Sequence, residues 1–151
     1  MATLQARLVT PERLVLEADV QAVMVRTEVG EATFLPGHTD LIGALVPGLV
    51  RFQRDDGSEQ RAAVHGGFVQ VDAEKVVVLA PIAELAEEID VDRARRALED
   101  ADRALAELAS VRGGGGAGGG DEAGDSGDPA VRDAEESRRR AEVRIEVTET
   151  G

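Results

Sequence analysis

The chain has 151 residues, 42% of them apolar, and a formal net charge of −13. That length fits one ordinary domain, or a small domain with an appendage. The acidity argues against nucleic acid and anionic lipid as partners, which need clustered Lys and Arg, and the lack of cysteine excludes disulfides and zinc–thiolate sites.

The opening stretch, MATLQARLVTPERL, is too polar and too interrupted to read as a signal peptide. No apolar run approaches the roughly 18–20 residues of a membrane-spanning helix. Any membrane association is therefore expected to go through another protein. With three Phe and no Trp or Tyr, the core must be aliphatic.

From the start to about residue 84 the pattern is β. TLQARLV places Leu4, Ala6 and Leu8 on one face and Gln5 and Arg7 on the other, and ADVQAVMVRT reads as a second strand. LVRFQRDDGSEQRAAVHGGFVQV reads as strands joined by an Asp-Asp-Gly-Ser turn, followed by the doubled glycine Gly66-Gly67. The run KVVVLA reads as a buried strand. Short strands with a turn every eight to twelve residues predict an antiparallel sandwich or barrel over residues 1–84.

The period changes after Pro81. Ala94, Leu98, Ala101, Leu105 and Leu108 recur at spacings of four, three, four and three, which predicts a helix over 90–111 capped by Asp90 or Asp92. So thin a stripe needs a partner helix or a docking surface. Residues 113–128, GGGGAGGGDEAGDSGD, read as a flexible linker of roughly 20–24 Å root-mean-square span. A second helix is expected over 129–147, with Pro129 at its first position and Ala130, Ala134 and Ala141 on one face. Its end, EVRIEV, alternates in a way that also suits a strand.

No catalytic constellation emerges. His38 and Asp40 sit in a turn at i, i+2, where two side chains rarely meet one reacting atom, and there is no nucleophile elbow or phosphate-cradling lysine motif. His38 reads as a turn or contact residue, held outward by Pro36-Gly37 while Leu41, Ile42 and Leu45 return to the core, and His65 reads as a strand-end residue. With two histidines and no cysteine, no metal site is expected. In EEIDVDRARRA, Asp92 and Arg96 form an i, i+4 pair, and Asp90 and Arg93 lie where a helix N-terminus also suits a polar ligand.

Taken in order, GEATFLPGH, the stretch Leu41 to Gly48, GGFVQV, VVVLA, AEEID and RA resemble the bacterial epsilon subunit of the rotary F-type ATP synthase. The resemblance runs from residue 3 to about 108. It implies an N-terminal antiparallel β-sandwich of about ten strands (residues 1–84) and a C-terminal helical hairpin (85–151), here interrupted by the Gly-rich linker. It further implies a non-catalytic rotor subunit that binds the gamma subunit and the c-ring and couples proton flow to ATP synthesis. Its place would be peripheral, on the cytoplasmic face of the bacterial plasma membrane, reached only through the c-ring. In many bacterial members of the family the hairpin can extend into the alpha/beta catalytic head and block ATP hydrolysis, so the resemblance implies that head as a further partner. Glu31 and His38 fall on positions that face the c-ring in this family. Ile89, Asp90, Arg93 and Ala94 match a motif that binds ATP in some members as a regulatory ligand; no cofactor is required. Three departures stand out: Thr33 replaces the usual glycine, so a regular strand entry is expected; Gln70 replaces a glutamate; and the inter-helix loop is expanded. The expansion makes a sharp, ATP-relieved inhibitory switch harder to build. A free-standing acidic adaptor with a helical oligomerisation tail is the alternative reading.

Overall fold

The computed structural model describes residues 2–113 and 128–149. The chain divides into two compact units, one of residues 1–89 with 146–151 and one of residues 90–145.

The first unit is a sandwich of two five-stranded sheets. One is ordered β2 (Leu14–Val20), β1 (Leu4–Val9), β9 (Lys75–Leu79), β8 (Gly67–Val71), β5 (Leu41–Leu45). The other is ordered β10 (Ala83–Leu85), β7 (Glu59–Val64), β6 (Gly48–Gln53), β3 (Ala22–Thr27), β4 (Gly30–Phe34). Every pairing is antiparallel except β1 with β9, which is parallel. Inward-facing residues of both sheets form an almost wholly aliphatic core, from Leu4, Ala6 and Leu8 of β1 to Val76 and Val78 of β9, with Phe34 and Phe52 as its only aromatic rings.

The expected strand ADVQAVMVRT is two strands. The chain leaves one sheet at Val20 and enters the other at Ala22, so a single residue, Gln21, makes the corner, its N–H donating to the Gln53 carbonyl at 2.7 Å. Val20, Ala22 and Val23 are all buried, which breaks strict alternation and marks the crossing. The Asp-Asp-Gly-Ser turn forms as expected between β6 and β7, with Asp56 Oδ1 accepting from the Ser58 N–H at 2.8 Å. Strand β4 pairs with β3 in unbroken register from Val23↔Phe34 to Thr27↔Gly30, the regular entry expected from Thr33.

A single 3₁₀ turn, Ala86–Glu88, follows β10. Arg13 binds its Glu88 through both carboxylate oxygens, at 2.6 and 3.3 Å, and this holds the Glu88 carboxyl below its usual pKa.

Helix α1 spans Val91–Gly113 and α2 spans Pro129–Glu149, two residues beyond each expected C-terminus. Gly113 thus belongs to α1. Asp128 caps α2, its Oδ1 accepting from the Ala130 N–H at 3.0 Å. Residues 114–127, the body of the expected linker, lie outside the described residues. The α1 stripe holds: Ala94 and Ala101 are buried, and Leu98, Leu105 and Leu108 are half-buried. Within the second unit, Arg138 of α2 pairs with Asp102 of α1 at 3.1 Å. The strand-like end of α2 is helical, because buried Val143 and Val147 stand four apart and satisfy a helical period as well as an alternating one.

Candidate functional site

One face of the first unit is unusual for so small a domain. In β8, Val69 and Val71 point into the core, so the pleat turns Phe68 and Gln70 outward. Phe68 stands opposite Leu79 of β9 and Ala44 of β5, and Leu79 stands opposite Val9 of β1. An apolar row therefore crosses four strands, with Val77 and Ile42 in the row beside it. Phe68 is 58% exposed and Ile42 74% exposed, whereas the other two phenylalanines are buried. Putting one of three aromatic rings on a solvent face is the mark of a covered surface. The sequence signal was available: Phe68 holds the outward phase of a strand whose inward phase is Val-Val.

The edge beside this face is also apolar. Leu41 and Ile42, expected to return to the core with Leu45, do not; only Leu45 is buried. Ile42 faces outward opposite Gln70. Leu41 has the inward phase, but β5 is the outermost strand of its sheet and leaves it 42% exposed. The β3–β4 turn presents Val29, 98% exposed, next to Glu31.

Glu31 lies on β4 opposite Arg26 of β3, with Oε1 at 3.8 Å from the Arg26 Nη2. His38 lies beyond the other end of β4, in a turn where its N–H donates to the Leu35 carbonyl at 3.2 Å and the Gly37 N–H donates to the Ala73 carbonyl at 2.9 Å. Its ring meets the edge of Phe34 at a centroid distance of 5.2 Å. Nδ1 lies 2.6 Å from the Thr39 carbonyl oxygen, which only accepts, so Nδ1 carries the proton. The neighbour that His38 engages through Nδ1 is a backbone carbonyl. Glu31 and His38 are thus not neighbours: from Glu31 to Phe34 alone the strand advances about 10 Å. They mark the two ends of one exposed edge.

Ile89 ends the first unit, half-buried after the 3₁₀ turn. In the second unit Asp90 caps α1, its Oδ1 accepting from the Arg93 N–H at 3.1 Å while its carbonyl accepts from Ala94 at 3.0 Å. Arg93 is exposed and Ala94 buried. Arg26 carries a second carboxylate that the sequence did not reveal, Glu146, at 2.9 Å, and that hydrogen bond raises the guanidinium pKa.

A family model described as the ATP synthase delta/epsilon chain, β-sandwich domain, matches residues 3–86. The chain belongs to the ATP synthase epsilon-chain family. It is 44% identical over 115 residues to the epsilon chain of Streptomyces griseus subsp. griseus, which spans 74% of this chain and 93% of that relative. It is 48% identical over 105 residues to the epsilon chain of Desulforudis audaxviator, spanning 70% of this chain and 76% of that one. Among solved structures, a chain of the Euglena gracilis mitochondrial ATP synthase (OSCP/F1/c-ring) superposes over 99% of this chain and 79% of its own length, at a TM-score of 0.65 and 25% identity. A chain of the Tetrahymena thermophila mitochondrial ATP synthase central stalk and c-ring shares the fold, at a TM-score of 0.53 and 16% identity over 96% of both chains. An epsilon chain is a component of the ATP synthase, an enzyme complex that makes ATP at the expense of ion flow. The sandwich expected from the resemblance is the one the family model describes.

Proposed function

We propose that this chain is a non-catalytic rotor subunit of the proton-translocating ATP synthase, fixed to the gamma subunit and the c-ring at the cytoplasmic face of the membrane. The observation that carries this reading is the apolar outer face around Phe68, Leu79 and Ile42, continuous with the exposed β4–β5 edge. The face offers a dry, largely aliphatic surface suited to a stalk protein such as gamma. The edge offers Glu31, Val29 and His38 to the polar loops of the c-ring. A rotor subunit needs two such surfaces because it transmits torque between two bodies without reacting with either. Regulation of ATP hydrolysis by the C-terminal helices, through the alpha/beta head, belongs to the same proposal.

The test is binding of the purified chain to gamma and c-ring together. We expect co-purification of all three, and each of Glu31→Ala and His38→Ala to weaken the c-ring contact about three- to tenfold. Because the two residues lie at opposite ends of β4, their effects are expected to add in free energy. A c-ring affinity untouched by either substitution removes the edge from the proposal.

A nucleotide contact is proposed at the start of α1. Asp90 caps the helix through Oδ1 and remains a polar contact of the motif, while the exposed Arg93 guanidinium beside the helix N-terminus is the group suited to phosphate, with Ile89 and Ala94 against the base or ring. Isothermal titration of the full chain with ATP is expected to show binding weakened at least tenfold by Arg93→Ala. Equal binding by the variant removes the assignment.

A further inference from the structure

Arg26 serves two carboxylates of the first unit that have different fates. Towards Glu146 it makes a forked contact: Nη2 donates to Oε1 at 2.9 Å and Nη1 donates to Oε2 at 3.4 Å. Towards Glu31, on the exposed edge, the same Nη2 reaches 3.8 Å without a hydrogen bond. Glu146 lies in the last turn of α2, next to the fully buried Val147. A buried valine and a cation shared with Glu31 are thus among the groups that hold the last turn.

The fold prepares this geometry. The Arg26 backbone is fixed where its carbonyl accepts from the Val46 N–H at 3.2 Å. Its stem lies over Gly48, the first residue of β6. A Cβ at Gly48 would come within 3.1 Å of the Arg26 Cδ and 3.3 Å of Nη1. The glycine therefore provides the lane along which the guanidinium reaches Glu146.

One positive and two negative charges meet at this point, so Glu31 and Glu146 repel each other across the guanidinium they share. Whatever neutralises Glu31 from outside leaves Arg26 wholly to Glu146. We infer that Arg26 couples the exposed β4 edge to the C-terminal turn, so that a cationic side chain pairing with Glu31 tightens the hold on residues 146–149. By linkage, a tightly held C-terminal turn raises the affinity of Glu31 for that cation by the same factor. The inference rests on the contact reading of Glu31 only for the source of the cation, an Arg- or Lys-bearing loop of the rotor partner. The coupling itself is a property of the isolated chain.

The experiment measures amide hydrogen exchange at residues 147–149 in the full chain. Glu146→Gln is expected to speed exchange about two- to fivefold, and Glu31→Gln to slow it somewhat less than twofold. On the Glu146→Gln background, Glu31→Gln is expected to change nothing. Gly48→Ala keeps every charge but pushes the Arg26 side chain aside by a few tenths of an ångström, and is expected to speed exchange slightly and to weaken the Glu31→Gln effect. An equal Glu31→Gln effect on both backgrounds, or none on either, overturns the coupling. All variants are read without a partner, so a c-ring indifferent to Glu31 overturns the contact reading while leaving this coupling intact.

Discussion

Gly67→Ala is expected to destabilise the sandwich by on the order of 4 kcal/mol, a large share of the 5–15 kcal/mol of a typical small domain. Gly67 opens β8 at φ +112°, a conformation L side chains rarely adopt. Space is the greater obstacle. A Cβ there would lie 2.0 Å from the Leu79 carbonyl oxygen, 2.9 Å from the Ala80 Cα and 3.0 Å from the Leu79 carbonyl carbon, all of them backbone. That backbone has nowhere to go, because β9 is flanked by β1 and β8 and the Ala80 N–H donates to the Val9 carbonyl at 3.0 Å. Gly57→Ala serves as a control: its φ is +87°, but no atom lies within 4 Å of the added carbon. It is expected to cost only the backbone strain, about 1 kcal/mol. Urea unfolding followed by circular dichroism separates the two. A Gly67→Ala midpoint as high as that of Gly57→Ala would refute the steric argument. The doubled glycine quoted in the resemblance thus has a physical reason at its second member: no other residue fits against the end of β9.

Phe68→Glu is expected to lower affinity for the stalk partner at least a hundredfold while leaving the fold intact. The ring is more than half exposed and contributes little to the core, so its replacement should shift the unfolding midpoint only slightly. Its neighbours on the apolar face include Leu79 and Ala44, directly opposite it, and Val77 in the row beside it. A partner that buries this face would have to bury the new carboxylate without a matching cation, and an unpaired buried charge typically costs about 3–5 kcal/mol. Isothermal titration with gamma, together with a circular dichroism melt, gives both numbers. Undiminished binding by a folded Phe68→Glu chain would move the docking surface elsewhere. Phe52→Ala makes the converse control, because that ring is fully buried and its loss should cost about 3–5 kcal/mol of stability.

Much of the architecture was legible because strands and helices write their burial into local period. Leu4, Ala6 and Leu8 announced an inward face, and Ala94 to Leu108 announced a helix stripe; both lie as read. The corner at Gln21 was not legible, since a change of sheet needs only one residue and leaves the apolar run unbroken. Leu41 and Ile42 misled for a related reason. Apolar character implies a covered surface but does not say whether the chain's own core covers it.

The candidate surfaces divide along the same line. The change from β to helical period after Pro81, the aliphatic core and the family resemblance could be read along the chain, because composition, period and short motifs are properties of neighbours in sequence. That Phe68, Leu79 and Ala44 form one face, that Glu31 and His38 mark opposite ends of an edge, and that Arg26 reaches Glu146 across 120 positions of sequence emerged from the folded chain alone. Those relations depend on strand order and register. Register is set by the packing of the whole sandwich, where a shift of one residue would exchange its inner and outer faces.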